Sequence, residues 1–366
     1  MRTFLILIFS IIMQLSFANM ASPIREGTIS SSAFSSRDID IFKEKIHIAI
    51  DKEYKTAAYV IEYFIKTDVD GKQIPLLFHA RGYKGDFKIW VDNQEVKLLD
   101  IPSEYRTTYN APFEKFSSSF RLPSRQGESE TVVIYWEKNS GFVYELNDLK
   151  YFEANLTKGE HKIRIEYTAK VWTDVSDWVK KYSFRYSLSP AKNWKSFGSL
   201  EIILDVTAFN SLLTTNIGQP TIGKLDSVAI WNFSKLPADY FEIIYTPKIS
   251  GFAKALIVIT PVGLTVIIAI LIVLLHFFSI KKFRKNEPTK KYSWVVIAGS
   301  IVIPFLILII YMISYVLIDN AIGKEASSYH GYTFLILILY PLLLPIYWLI
   351  MWWTDRIIKR KINNAL

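Results

Sequence analysis

The stretch HKIRIEYTA, residues 161–169, alternates without a slip. Ile163, Ile165, Tyr167 and Ala169 fall on one side of an extended chain, and Lys162, Arg164, Glu166 and Thr168 on the other. Successive side chains of a strand point to opposite faces, so this reads as a strand with one face in a core and one in water. Outward from it, EKIHIAI (44–50), AAYVIEYFI (57–65), FKIWV (87–91), TVVIYW (131–136), LEIILDV (200–206) and YFEIIY (240–245) read the same way. Asp70-Gly71, Asp92-Asn93 and Gly159 stand between such runs and supply residues that tolerate positive φ, Asp70-Gly71 as a hairpin signal. Short strands at this spacing imply a mainly β region, an antiparallel β-sandwich that is either one large or two small, over residues 37–250. A possible sub-boundary lies near 189–197. TDVSDWVKK (173–181) breaks the alternation and reads as a short helix or a loop.

The two ends of the chain carry a different pattern. One arginine precedes the apolar run Phe4–Phe17, and the small residues Ser16 and Ala18 stand at the −3 and −1 positions of a signal-peptidase site. This is the three-part form of a secretory signal peptide, expected over 1–18, with a Ser-rich arm over 19–36. Toward the C-terminus, Ala255–Phe278, Trp294–Ile318 and Thr333–Trp353 contain no Lys, Arg, Asp or Glu. Each is long enough to cross hydrocarbon about 30 Å thick as a helix. Transmembrane helices are therefore expected at 253–279, 294–318 and 333–353, kinked by Pro261, Pro304, Pro341 and Pro345.

Charge gives these helices a direction. The chain carries a net +9, but KKFRKNEPTKK (281–291) holds six basic residues and one acidic, and the tail 354–366 holds four and one. Basic residues in short loops stay on the cytoplasmic side. The loop 280–293 and the tail 354–366 are thus expected in the cytoplasm, and the loop 319–332, with its single lysine, outside. Export of 37–250 by the signal peptide leads to the same topology, a multi-pass protein of the bacterial inner (plasma) membrane with a periplasmic β region. That β region is close to neutral, so the basic total does not point to nucleic acid.

There is no cysteine, which excludes disulfides, thiolate nucleophiles and Cys-ligated metals. The five histidines show no local metal-ligand spacing, and no phosphate-binding or nucleophile-elbow pattern occurs, so no cofactor and no metal are expected. Carboxylates such as Glu130, Glu137, Glu145, Asp148 and Glu153 leave room for a hydrolase whose acid pair is close only in space. The most distinctive stretch is 171–198, with Trp172, Trp178, Tyr182, Phe184, Tyr186, Trp194 and Phe197. Tyr182, Phe184 and Tyr186 share one strand face, and two readings fit them. They are core, or they form with Trp178, Trp194 and Arg185 an aromatic platform that stacks on a sugar ring or a peptide. Lys192 and Asn193 would flank such a surface. Ionisable groups are nearly absent from the apolar segments, which argues against an ion-coupled transporter.

YSLSPAKNWKSFGSLEIILDV (186–206) followed by LPADYFEIIYTPK (236–248) resembles a pattern in bacterial envelope proteins of unknown function that have a signal peptide, a β-sandwich exported region and C-terminal membrane helices. The resemblance implies no catalytic residues. The expected function is binding or scaffolding by the exported region, with the lipid bilayer as anchor and an envelope protein or a glycan as partner. An envelope hydrolase with a carboxylate site, and a subunit of a multi-component membrane complex, are the alternatives.

Overall fold

A computed structural model describes residues 31–364 except 36–38, 74–75, 81, 100–115, 125–126, 138–139, 146–148, 189–190, 192–195, 210 and 329. The expected signal peptide, and the expected arm apart from 31–35, lie outside the described residues.

The largest sheet has eight strands in the order β18 (Ile222–Gly223), β19 (Val228–Phe233), β16 (Phe197–Asp205), β2 (Ile39–Ile50), β3 (Thr56–Thr67), β13 (Gly159–Lys170), β6 (Lys84–Val91) and β7 (Gln94–Val96). A second has four, in the order β14 (Trp172–Asp174), β15 (Lys181–Ser187), β20 (Tyr240–Tyr245) and β17 (Leu213–Thr215). Smaller sheets join β1 (Ser31–Ser35), β5 (Leu76–Ala80) and β11 (Leu149–Lys150), then β10 (Ser140–Glu145), β9 (Gly127–Glu137) and β8 (Phe116–Ser124), and finally β12 (Ala154–Leu156) and β4 (Gly71–Gln73). Helix α1 spans Gly251–Asn286, α2 spans Trp294–Ile322, a 3-10 helix covers Thr333–Leu339, and α3 follows over Tyr340–Asn363.

The chain divides into two compact units. Val175–Lys180 and Pro247 onward belong to a helical unit, and the described residues before Val175 together with Lys181–Thr246 make a β unit.

In the β unit the 161–169 strand behaves as its alternation requires. Ile163, Ile165, Tyr167 and Ala169 are buried, and Arg164, Glu166 and Thr168 are half-exposed. It lies between β3 and β6, pairing Ile165 with Ile61 and with Ile89. Both sheets feed one apolar core: Ile46, Ile48, Ile61 and Ile202 from the larger meet Phe184, Tyr186, Phe241 and Ile243 from the smaller. Asp92-Asn93 closes the β6–β7 hairpin with both residues at positive φ, the geometry that a two-residue turn needs. Asp92 then accepts from His161 Nδ1 at 2.6 Å, and His161 Nε2 stands 2.7 Å from the Thr157 carbonyl. Both ring nitrogens face acceptors, so the ring binds a second proton more readily. Partial burial opposes this, but the bonds to Asp92 and Thr157 prevail and hold the His161 pKa above the ordinary histidine value.

Three expectations need correction. The sheet is not wholly antiparallel: β16 runs parallel to β2, from Phe197 opposite Ile41 to Asp205 opposite Ala49. A parallel pair needs a long crossover, and the roughly 150 residues between the two strands supply it. Asp70-Gly71 does not close a hairpin, because β3 pairs with β2 and β13 while β4 pairs with β12. Asp70 instead accepts from the Lys158 backbone amide. The helices also overrun their apolar segments: α1 continues through seven residues of the basic loop, and α3 runs through the tail to Asn363.

Among the described residues, the helical unit contains three helices long and apolar enough to cross a membrane. Pro261 coincides with a break in α1, where Thr260 leaves helical geometry at φ 66°. His276 of α1 joins all three. Its Nε2 lies 3.1 Å from the Val295 carbonyl of α2 and its Nδ1 2.9 Å from the Tyr347 hydroxyl of α3. A carbonyl only accepts, so the proton sits on Nε2 and the Tyr347 hydroxyl donates to Nδ1. The ring occupies the space of a missing side chain: a Cβ on Gly299 would lie 2.2 Å from His276 Nε2. An ionisable group at this depth is thereby satisfied within the chain. At the ends of α1 and α3, Arg284 and Asp355 are buried together. Arg284 donates to both Asp355 oxygens, from Nε at 2.7 Å and from Nη2 at 2.5 Å, and to the Lys290 carbonyl from Nη1 at 2.7 Å.

Candidate functional site

The outward face of the eight-stranded sheet carries a candidate site. The same alternation that buries Ile46, Ile61, Ile163 and Ile202 turns Lys45, His47, Val60, Glu62, Arg164 and Ile203 outward, and these six line a shallow depression. Val60 and Ile203 are its apolar surface. Charged groups surround it in pairs. Lys43 and Lys45 reach Glu201 at 3.0 and 3.1 Å, and Lys162 reaches Glu62 at 3.2 Å. Arg164 pairs with Glu166, and its guanidinium lies 5.7 Å from the Trp90 ring centre. The Arg164 Nε atom is sealed from solvent with no hydrogen-bond partner. Phe64 lies farther along the same face of β3, 6.3 Å from Phe42, with the Lys43 ammonium above it.

The carboxylates of this face are neutralised by neighbouring lysines. Glu201 is held below the ordinary glutamate pKa, since its two lysine bonds outweigh its partial burial. A general acid would need the opposite shift. Among the described residues no group of His, Cys, Asp and Glu could hold a metal ion. Of the carboxylates singled out for a hydrolase, Glu153 accepts from the Tyr151 hydroxyl at 2.7 Å. Glu130, Glu137, Glu145 and Asp148 lie where no side chain is described.

The residues expected to form an aromatic platform are distributed over several places. Tyr186 is in the core, at 1% exposure, and donates to Glu44 Oε1 at 2.7 Å. Tyr182 shares its strand face and stacks on Tyr245 at 6.1 Å, partly buried against the same core. Arg185 points from the opposite face, donates to Glu242 at 2.6 Å and lies over Trp172 at 5.0 Å. Trp194, Lys192 and Asn193 lie outside the described residues. The structure thus brings Tyr182 and Tyr186 to one side of β15 and sets Arg185 on the other.

Trp178 belongs to the helical unit. Segment 175–180 pairs with the α2–α3 connection: the Lys180 amide donates to the Ala326 carbonyl at 2.8 Å and the Ser328 amide to the Trp178 carbonyl at 3.0 Å. The Trp178 ring packs 4.2 Å from His330 and 5.4 Å from Tyr315. Asp319 anchors this cluster, accepting from Ser327 Oγ at 2.6 Å and from His330 Nδ1 at 3.1 Å. The serine hydroxyl bonds the carboxylate and not the imidazole, so the trio lacks the serine–histidine contact of a nucleophilic site.

No family model and no curated protein matches this chain. Solved structures do. Native leukotriene A4 hydrolase from Saccharomyces cerevisiae is 7% identical over 57% of this chain and 29% of that one, with a TM-score of 0.31. An M1 zinc metallopeptidase from Deinococcus radiodurans is 7% identical over 58% and 43%, with a TM-score of 0.24. This chain spans less than half the length of either. Likeness at TM-scores this low bears on neither fold nor activity.

Sequence reading missed the depression because its lining comes from four strands, two of which, β13 and β16, lie far along the chain from β2 and β3. It also missed Glu44 and the Asp319–His330 pair. Glu44 was findable, since it is in phase with Ile46, Ile48 and Ile50 and therefore faces inward with them.

Proposed function

We propose that this is a bacterial inner-membrane protein whose exported β unit, a sandwich of the two sheets, acts as a binding or scaffolding module for an envelope protein or glycan. The observation that carries this reading is the outward face of the eight-stranded sheet. There Val60, Ile203 and Phe64 lie among charges that are already paired. An apolar surface bordered by paired charges favours a partner that covers it without stranding a charge.

The topology is supported by parity. Three crossings would leave the β unit and the α2–α3 connection on one side, and the pairing of segment 175–180 with that connection is in keeping with this. Both basic stretches then share the other side, which the positive-inside rule makes cytoplasmic. The cysteine-free sequence allows a background-free check. Ser327 is buried and bonded, so exposed Lys324 is the outer position to use. In intact cells, a membrane-impermeant thiol reagent is expected to label Lys324→Cys and to spare Thr289→Cys. The reverse pattern would overturn the orientation.

For the binding role, a photo-crosslinking residue at Val60 is expected to capture one predominant envelope partner in living cells, and the same residue at exposed Lys52 is not. Equal capture at both positions, or none at Val60, would rule out this face.

A further inference from the structure

Three carboxylates are buried among the described residues, and two have a cation. Glu242 is paired with Arg185 and Asp355 with Arg284. Glu44, at 2% exposure, has two tyrosine hydroxyls instead. Tyr63 is its cross-strand partner on β3, and Tyr186 reaches it from β15 in the other sheet. The two hydroxyls are themselves 2.5 Å apart. Backbone geometry aims the carboxyl inward. The β2–β3 register shifts between Ile41 and Lys43, so Phe42 forms a bulge and the strand resumes with Glu44, Ile46 and Ile48 facing the core.

We propose that Glu44 is a proton-binding site at the seam between the two sheets of the β unit, and that gain or loss of this proton tightens or loosens the seam. A neutral carboxyl is compatible with an apolar seam. A carboxylate there lacks a counter-ion and draws water toward β2 and β15. Burial pushes the Glu44 pKa up to about 7, and the bonds from Tyr186 and Tyr63 pull it down by less. No cation faces it from β3 or β15; the facing groups are the hydroxyls of Tyr63 and Tyr186, with Tyr167 of β13 acting on Tyr63. Burial moves both tyrosines further from ionisation, so the proton that Glu44 releases goes to water. Because the folded-state pKa is raised, the stabilisation is complete below the ordinary glutamate value of 4.5 and is lost as pH climbs to about 7. The switch therefore works between mildly acidic and neutral pH.

Infrared difference spectroscopy of the full-length protein in lipid nanodiscs reads the proton directly. A carboxylic acid C=O band is expected to titrate with a midpoint near 7 and to be missing in Glu44→Gln. Hydrogen exchange reads the seam. Amides of β2 and β15 are expected to lose protection in the wild type as pH rises, beyond the intrinsic chemical dependence and by up to roughly 300-fold, while Glu44→Gln stays flat. A midpoint near the ordinary glutamate value, or exchange that tracks the wild type in Glu44→Gln, would overturn the proposal. Should Glu44→Gln fail to fold, Tyr186→Phe serves. It removes the donor that favours the carboxylate, so the midpoint is expected to rise, and an unchanged midpoint would overturn the proposal.

Discussion

Replacing Asp355 by alanine is expected to destabilise the helical unit by about 3–5 kcal/mol, measured by reversible unfolding of the full-length protein in mixed micelles. Arg284 is almost fully enclosed and spends three donors on Asp355 and the Lys290 carbonyl. Without the carboxylate, a guanidinium that is always charged stays buried beside one carbonyl. Its desolvation is then uncompensated, and this cost exceeds the worth of the bonds themselves. Asp355→Asn keeps one acceptor and should fall between the two. The double variant Arg284→Met with Asp355→Leu removes both charges and should recover most of the loss, because a well-packed apolar pair replaces a buried ion pair at little cost. If Asp355→Ala unfolds within 0.5 kcal/mol of the wild type, the pair is not buried as described.

Gly198→Ala is the second large effect, and it acts on the β unit. A Cβ on Gly198 would lie 1.9 Å from the Phe42 carbonyl oxygen and 2.7 Å from its carbon, both backbone atoms of the bulge in β2. No side-chain rotation relieves such a contact, so β16 and β2 must move apart along their parallel pairing. We expect a loss of about 3 kcal/mol or more. Faster hydrogen exchange should concentrate between Ile41 and Ile46 and in the facing part of β16. Ser199→Ala, one residue on, adds nothing to that space and should stay within about 0.5 kcal/mol of the wild type. Equal melting of the two variants would show that the bulge is not held by a close approach at Gly198.

These two sites also show what could be read in advance. The strand at 161–169 was legible because period-two alternation marks both the strand and its buried face, and the three apolar helices because length and the absence of charge suffice. The fate of Tyr182, Phe184 and Tyr186 was only half legible. Alternation puts them on one face, but whether a second sheet covers that face is decided by β2 and β3 of the eight-stranded sheet, which lie far away in the chain. Glu44 follows the same logic, since its phase was visible and its solitude was not. Arg284 looked like one more basic residue of a topogenic loop. Its partner lies 71 positions away in a tail that read as basic. The Trp178 cluster was hidden for a similar reason, because a six-residue segment between two strands belongs to the helical unit.

That last feature has a bearing on biogenesis. Trp178 leaves the ribosome 150 residues before Ser328, whose amide it must meet. At 5–20 residues per second the delay is roughly 8–30 s. Over that time strands β14 and β15 can zip together, while the connection between them stays undocked with an indole exposed. Final closure of this junction therefore waits for the second and third hydrophobic segments to insert, and a chain stalled before Ser328 would present that tryptophan to whatever quality-control machinery patrols the compartment.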